Sequence, residues 1–154
     1  MVSKHLICWA LVAATALLSS PASAETYRLH FRICRSLILI DATVNGTPVT
    51  LLFDTGSNYT ILSASAVGLN PAKMAQMRQS RLARGLEGGG GAEVRVNLSL
   101  GGSAIPDLLI LATNLDDLGK RLGTHCDGII GQDVISLFDS VRIDYKNNYI
   151  EARK

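Results

Sequence analysis

The feature that most constrains the fold of this sequence is a β-hairpin pattern. Two apolar, β-rich runs, Leu37 to Val44 and Thr47 to Phe53, flank the dipeptide Asn45-Gly46. Asn-Gly favours the two-residue turn between antiparallel strands, because both residues tolerate positive φ. Further strand patterns follow at Tyr59 to Leu62, Ala92 to Leu100, Ile105 to Ala112, Val141 to Tyr145 and Tyr149 to Arg153. The sequence therefore predicts an all-β fold, barrel-like or sandwich-like.

Helical patterns are few and short. Ser63 to Val67 fits one or two helical turns that end at Gly68, and Gln132 to Phe138 places its apolar residues on one face. One or two short helices are therefore expected. The segment Ala72 to Arg84 also has a helix-forming composition, with several basic and no acidic residues. It is either an amphipathic helix or a basic strand, and we interpret it as a solvated face rather than a docking patch for anions.

Composition excludes several functions. A length of 154 residues suits one domain, and 47% hydrophobic with 18% charged residues argues against disorder. The net charge of +2 is too small for a nucleic-acid-binding surface. Three Cys and three His are too scattered for a zinc-finger or haem-attachment spacing. We therefore expect no metal, no cofactor and no nucleic-acid partner.

The first 24 residues predict a secretory signal peptide. Lys4 precedes an apolar run, Leu6 to Leu18, and Ala22-Ser23-Ala24 forms a cleavage pattern. The run is too short to span a bilayer, so no membrane span is expected after cleavage. The domain would then comprise residues 25–154. Three N-glycosylation patterns occur, one of them at Asn58, and a glycan there would crowd the neighbouring segment Asp54 to Ser57. This favours a bacterial protein, periplasmic or secreted, in which the modification is uncommon.

Export would leave two cysteines, Cys34 and Cys126, in an oxidising compartment. A disulfide between them would stabilise the domain by about 4 to 5 kcal/mol in the chain-entropy model. Two free, buried thiols are the alternative, and the sequence does not decide between them, because pairing requires close Cα atoms.

Candidate chemistry is concentrated in three segments. Asp54-Thr55-Gly56-Ser57 follows an apolar strand, where a carboxylate is costly unless it is hydrogen-bonded or used. The four glycines Gly88, Gly89, Gly90 and Gly91 suggest a hairpin tip that is mobile or approaches a ligand closely. The third segment is Asp127 to Asp133, in which glycines flank Ile129 and Ile130. Each signal alone is weak, but their order and spacing are informative.

Together these segments resemble the aspartic proteases, specifically the single-lobed, retroviral-type (retropepsin-like) group with its exported bacterial members. The resemblance covers roughly residues 35 to 154. It implies a closed β-barrel-like fold with Asp54, Thr55 and Gly56 in the catalytic loop and Gly88 to Gly91 in a flap over the substrate. Ile129, Ile130 and Gly131 would pack beneath the loop. Ser57 would hydrogen-bond the Asp54 carboxylate, and Thr55 would brace two loops across a two-fold axis.

The sequence contains a single Asp-Thr-Gly. Two catalytic carboxylates can therefore come only from two copies of the chain, so catalysis implies a homodimer that hydrolyses peptide bonds in a peptide or protein substrate. By the resemblance, the pairing segments would be the termini, Tyr27 to Cys34 and Tyr149 to Lys154. A hydroxyl donated to Asp54 would favour the ionised form, which predicts an acidic optimum. Tyr59 is expected to fill core space.

Two other functions remain open. A non-catalytic peptide-binding or dimerisation module would keep the cleft without a competent pair of carboxylates. A thiol enzyme would use Cys126 beside His125, or Cys34 near His30. Neighbouring strand residues point to opposite faces, so His125 is poorly placed to activate Cys126.

Overall fold

The structure is a computed structural model that describes residues 25–70, 72–74 and 91–154. The predicted signal peptide lies outside the described residues and stays a prediction. Most of the basic segment Ala72 to Arg84 also lies outside them, although residues 72–74 are helical.

Besides the helical residues 72–74, nine strands and two short helices follow one another along the described chain. They are β1 (Thr26–Cys34), β2 (Leu37–Val44), β3 (Thr47–Phe53), β4 (Ile61–Ser63), β5 (Ala92–Leu100), β6 (Ser103–Thr113), α1 (Asp116–Leu122), β7 (Gly128–Ile130), α2 (Gln132–Ile135), β8 (Ser140–Asp144) and β9 (Tyr149–Arg153). Within the described ranges, neither helix has the length and hydropathy needed to cross a membrane.

Six of the strands close into a barrel. The sheet order is β3-β7-β4-β6-β5-β2, and β2 pairs again with β3. Most neighbours are antiparallel, but β3 runs parallel to β7, and β4 runs parallel to β6. This closure removes the free edges of the six strands, so the site-bearing strand β3 has a paired neighbour on each side.

The remaining strands extend the sheet beyond the barrel. β1 pairs with β2 through its second half and with β9 through its first half, and β8 is the last strand of the sheet. β9 therefore lies between β1 and β8. Of the segments expected to pair between chains, Tyr27 to His30 pair with Tyr149 to Ala152 within one chain, and Phe31 to Cys34 pair with β2.

The core consists of a large and a small cluster of buried side chains. The large cluster fills the barrel and includes Ile40, Leu51 and Ile130, each with no exposed surface. The small cluster lies under α1 and is built on Leu39, Leu52 and Cys126, with Cys34 packed against it. β2 and β3 contribute to both clusters because successive strand residues face opposite sides of the sheet.

The predicted all-β fold is confirmed, and the bounds of β2, β3 and β5 match the predicted runs. Asn45 and Gly46 both have positive φ, as the hairpin turn requires. The helix predicted from Ser63 to Val67 is wrong. Hydrogen-bonded turns occupy this stretch and end at Gly68, where the Leu69 N–H reaches back to the Ala64 carbonyl.

Three further differences concern β1, α1 and β6. The sequence analysis did not predict β1 or α1. β6 accommodates Pro106 by a bulge, in which Pro106 and Asp107 stand opposite the single residue Asn97. A bulge needs no ladder hydrogen bond from the proline, which lacks an N–H.

Truncating a barrel residue should destabilise the fold far more than truncating a surface residue of the same type. Ile40→Ala should lower the free energy of unfolding by about 2 to 5 kcal/mol, because Ile40 is completely buried. Ile33, which is 53% exposed on β1, is the matched control, and Ile33→Ala should cost less than about 1 kcal/mol. Urea denaturation measures both, and equal losses would contradict the assignment of the core.

Candidate active site

Asp54 lies at the carboxyl end of β3, where that strand runs beside β7. Phe53 stands opposite Ile130, and the Asp54 N–H donates to the Ile130 carbonyl at 3.1 Å. The Gly56 N–H donates to Asp54 Oδ1 at 2.9 Å. Within the described residues, this is the one hydrogen bond to the half-buried carboxylate. One face of the carboxylate is thus fixed by the backbone of its own loop, and the rest is available to a reactant.

Ser57 does not make the expected hydrogen bond to Asp54. Its hydroxyl donates to the Tyr59 carbonyl at 2.8 Å instead. A serine hydroxyl has a single proton, so it cannot also donate to the carboxylate. Ser57 therefore stabilises the shape of the loop, and the Gly56 N–H provides the contact that was predicted for the hydroxyl.

The loop rests directly on β7, at a separation that glycine makes possible. A Cβ atom at Gly131 would lie 2.5 to 2.8 Å from the backbone of Tyr59, and one at Gly128 would lie 2.4 Å from the Ile61 carbonyl oxygen. Real Cβ atoms do not approach backbone atoms so closely. Of the residues predicted beneath the loop, Gly131 lies against Tyr59 and the fully buried Ile130 accepts the Asp54 N–H, whereas Ile129 packs against the small cluster.

A buried polar cluster locks the end of the loop to α2. Thr60 is 1% exposed, and its hydroxyl donates to Asp133 Oδ1 at 2.7 Å and accepts the Gly131 N–H at 3.1 Å. The Thr60 N–H donates to the other carboxylate oxygen of Asp133 at 2.9 Å. The Val134 N–H also donates to this carboxylate. Asp133 thus accepts three hydrogen bonds, which offset the cost of placing it in a partly buried site.

Further hydrogen bonds join the start of α2 to the rest of the loop. The Gln132 side-chain amide donates to the Thr55 carbonyl at 2.7 Å, and the Gln132 N–H donates to the Ser57 carbonyl at 2.8 Å. Thr55 itself is exposed. The sequence analysis quoted Gln132 and Asp133 as part of the motif but gave neither a role, and it missed Thr60. The sequence feature that could have indicated Asp133 is its position two residues after Gly131, which follows a buried strand.

Tyr59 does not fill core space. Its side chain is 49% exposed on the loop, because the buried position is taken by Thr60. Tyr59 lies in a bend just before β4, and its expected place in the core is not observed.

The glycine segment is described only at its end. Gly88, Gly89 and Gly90 lie outside the described residues, so the flap stays a prediction. Gly91 is buried beside β6, and a Cβ atom there would lie 2.7 Å from Leu111 Cδ1. The base of the segment is therefore packed against the barrel.

The possible disulfide is absent, because Cys34 and Cys126 are both free thiols. Each sulfur lies against a backbone carbonyl: Cys34 Sγ is 3.7 Å from Leu122 O, and Cys126 Sγ is 3.1 Å from Gly128 O. The two thiols belong to the small cluster under α1, where they pack as apolar side chains. The alternative of two free cysteines is the one that the structure contains.

The geometry does not favour a thiol nucleophile. His125 is exposed and its Nε2 lies 3.0 Å from the Asp127 carboxylate, whereas Cys126 is buried beside it. Burial raises the pKa of the Cys126 thiol, which disfavours the reactive thiolate. His30 and Cys34 are four strand positions apart on β1, about 13 Å. Across the described ranges, no three His, Cys, Asp or Glu side chains converge to hold a metal ion.

Removing the Thr60 hydroxyl should loosen the loop without changing its shape. Thr60→Val leaves the buried Gly131 N–H without an acceptor and removes one donor from Asp133, so the free energy of unfolding should fall by about 1 to 3 kcal/mol. Thr26→Val on the exposed start of β1 is the matched control and should change stability by less than about 0.5 kcal/mol. Urea denaturation of both variants measures the difference. A loss no larger than that of the control would show that the cluster does not hold the loop.

Cys126 should become reactive only at a higher pH than a free thiol. In a Cys34→Ser variant, the rate of alkylation of the folded chain by iodoacetamide should reach half its maximum above the pH found for N-acetylcysteine, because burial raises the pKa of Cys126. Mass spectrometry of the modified peptide gives the profile. A midpoint at or below that of N-acetylcysteine would contradict the buried, unreactive assignment.

Known proteins are similar to this chain in family and in fold. The family described as aspartyl protease matches residues 40–134, which is more than half of the chain. No curated protein matches this chain. Two solved structures are similar at low sequence identity and therefore bear on the fold alone. A retropepsin-like aspartic protease from Rickettsia conorii is 17% identical, with a TM-score of 0.61 over 87% of this chain and 96% of the other.

The retroviral protease-like domain of Ddi1 from Leishmania major is 21% identical, with a TM-score of 0.53 over 77% of this chain and 88% of the other. The family match includes β3, the Asp54 loop and β7, and the structural similarity to the Rickettsia protein covers 87% of the chain. This chain therefore belongs to the aspartyl protease family and has the retropepsin-like fold.

Proposed function

We propose that the protein is an aspartic endopeptidase in which Asp54 of two chains forms one catalytic pair at a homodimer interface. Membership of the aspartyl protease family and the retropepsin-like fold support a protease function. The observation that carries the finer proposal is the held carboxylate: Asp54 is fixed by the Gly56 N–H in a loop braced from below by β7 and α2. Such preorganisation is what a catalytic carboxylate needs.

The second carboxylate would come from another copy of the chain. Asp133 also follows a strand at this end of the sheet, but its carboxylate is occupied by Thr60 and Val134. Asp127 accepts the Thr50 N–H and contacts His125. Neither is free to act beside Asp54. A two-fold axis through the loops would bring Asp54 of the partner subunit to the place where a second acid is required.

Two carboxylates in contact cannot both stay ionised, so the pair would share one proton. The ionised member accepts a proton from a water molecule as the water attacks the peptide carbonyl carbon. The protonated member donates to the carbonyl oxygen, and a proton then passes to the leaving nitrogen. The pair acts as a unit, so its two protonation steps belong to both chains together.

The surrounding loop would organise the substrate and the partner. Thr55, whose carbonyl accepts a hydrogen bond from the Gln132 side chain, would brace the loops across the axis. An extended peptide would lie between the Asp54 loop and the segment Gly88 to Gly91, with apolar residues preferred. We further propose that residues 1–24 direct export and that the protein acts in the periplasm or outside the cell.

The decisive variant is Asp54→Asn. Cleavage of a mixed peptide library should fall at least about 10³-fold, because the amide can neither accept the proton from water nor share one with its partner. Activity of the unmodified chain should peak at acidic pH and decline as rising pH removes the shared proton. At low enzyme concentration it should increase faster than linearly, because two chains form one site.

Asp107→Asn is the matched control, since Asp107 is a largely exposed carboxylate on β6, and it should leave cleavage unchanged. Cleavage by the unmodified chain and by both variants is assayed from pH 3 to 8, and mass spectrometry of the peptide products measures it. Equal cleavage by the unmodified and Asp54→Asn chains would refute the proposal. A folded dimer that binds peptides and cleaves none would identify the protein as a binding module instead.

A further inference from the structure

The strands β1, β9 and β8 carry a charged outer face that the proposed protease site does not use. Leu29 and Ile150 on the inner side of these strands pack in the large core cluster. Because successive strand residues face opposite sides, their neighbours point away from the core. On this outer face, Arg28 of β1 and Arg142 of β8 both stand directly opposite Glu151 of β9. Two arginines thus flank one glutamate.

The carboxylates of the outer face already have partners within the chain. The Arg153 guanidinium donates to Glu151 Oε1 at 2.9 Å, and the Glu151 side chain is only 11% exposed. The two oxygens of Asp144 accept hydrogen bonds from the backbone and the side-chain amide of Asn147, each at 3.0 Å, and Asp144 is 15% exposed. The surface that this face offers to solvent therefore consists mainly of guanidinium groups.

Arg28 and Arg142 retain unused hydrogen-bond donors. Within the residues that the structure describes, the Arg28 guanidinium has neither a hydrogen-bond acceptor nor a carboxylate partner. Arg142 is 63% exposed and donates to the Tyr149 hydroxyl at 3.1 Å, whereas its distance of 3.9 Å from Asp144 is too long for a hydrogen bond. Since a guanidinium has five N–H groups, most of the donors on these two side chains are available to a ligand.

Tyr149 holds both guanidinium groups at one place. Arg28 Cζ lies 4.9 Å from the centre of the Tyr149 ring, and Arg142 binds the hydroxyl of the same ring. The ring is half-buried and stands in the sheet between His30 and Asp144. A guanidinium that stacks on an aromatic ring keeps the N–H groups at its edges free. The tyrosine therefore orders two cations without occupying all their donors.

The charges of this cluster favour an anionic ligand. Arg28, Arg142 and Arg153 carry three positive charges, against the two negative charges of Glu151 and Asp144. An anion would reduce the repulsion among the guanidinium groups. A carboxylate has two oxygens and is filled by one guanidinium, whereas a phosphate group has further oxygens and up to two charges, so it can bridge two guanidinium groups.

We propose that Arg28, Arg142 and Tyr149 form a binding site for a phosphate group, with Arg153 at its border. This inference goes beyond the proposed function, because all of these residues belong to one chain and the site requires neither a second copy nor Asp54. The phosphate group would be carried either by a soluble molecule or by a lipid headgroup, and separate measurements distinguish these two sources.

Titration with inorganic phosphate, at low salt and near neutral pH, tests the site. The Nε–H resonances of Arg28 and Arg142 are identified by their loss in the variants Arg28→Gln and Arg142→Gln. In the unmodified protein they should shift and saturate, with a dissociation constant of about 1 mM or less. Each substitution should weaken phosphate binding about tenfold, because it removes a charge-assisted contact. Acetate should bind at least about tenfold more weakly than phosphate.

Arg95→Gln is the matched control for the arginine variants. Arg95 is also an exposed strand arginine, but its Nη1 donates to Asp107, so its loss should leave phosphate binding unchanged. Tyr149→Leu separates an ordered site from general attraction by charge. It changes no charge at neutral pH but removes the stacking surface, so it should weaken phosphate binding about threefold or more.

Several results would overturn the proposal. They are the absence of saturating shifts at Arg28 and Arg142, equal binding of acetate and phosphate, and equal effects of Arg95→Gln and Arg28→Gln. The unmodified protein gives the first two results by itself, so the test does not depend on whether a variant folds. Neither cleavage nor Asp54 enters these measurements, so failure of the phosphate site and failure of the protease proposal are separate outcomes.

Vesicles distinguish the two sources of the phosphate group. Phosphatidic acid in phosphatidylcholine vesicles exposes a phosphate monoester, and phosphatidylcholine alone does not. Sedimentation of the protein with the first kind of vesicle, lost in Arg28→Gln, would identify a lipid headgroup as the ligand. Saturable binding of inorganic phosphate without such sedimentation would identify a soluble ligand. Equal sedimentation of the unmodified and Arg28→Gln chains with phosphatidic acid vesicles would contradict the assigned site.

Discussion

Strand β7 is the element on which the site depends, because it fits between β3 and β4 and closes the barrel with only three residues. Gly128 in β7 and Gly131 directly after it allow the backbone of Ile61 and Tyr59 to approach within distances that any Cβ would block. Ile130 between them anchors the strand in the core with no exposed surface. The position of the Asp54 loop is therefore set by backbone contacts and one buried side chain, and not by the loop's own side chains.

The polar cluster around Thr60 and Asp133 completes this support. A short strand such as β4 offers few ladder hydrogen bonds, so the loop before it needs other partners for its backbone groups. The Asp133 carboxylate, on the neighbouring helix α2, accepts the Thr60 N–H. Its negative charge is stabilised by three hydrogen-bond donors in total. The Asp54 carboxylate accepts only one hydrogen bond in the described part of the chain, from the Gly56 N–H, so the two aspartates differ in how fully their oxygens are occupied.

Local patterns predicted the parts of the fold that local interactions determine. β2, β3 and β5 alternate between two environments along their length, and the Asn45-Gly46 turn fixes the register of the first pair. The motif order also predicted the packing of Ile130 and Gly131 under the loop. Helix α1 was missed, because it buries no residue completely and is held by the small cluster that forms only after folding.

The predictions about the site that were wrong or left open concern side chains whose environment depends on the folded chain. The Ser57 hydroxyl, the side chain of Tyr59 and the two thiols each had two plausible environments, and the sequence could not choose between them. In the folded chain the Ser57 hydroxyl donates to the Tyr59 carbonyl, Thr60 occupies the buried position, and each thiol lies against a backbone carbonyl oxygen. Motifs indicate which residues meet, whereas the direction of a hydrogen bond depends on the whole fold.

The parallel pairing of β3 with β7 also has a consequence for biosynthesis. The hydrogen bonds that join the Asp54 loop to β7 and α2 link residues more than 70 positions apart, for example 73 between Thr60 and Asp133. Contacts of such long range form late and slowly, because a large loop of chain must first be closed. A nascent chain carries Asp54 well before it carries the strand that positions it. The order of synthesis therefore delays assembly of the Asp54 loop until β7 and α2 have been made.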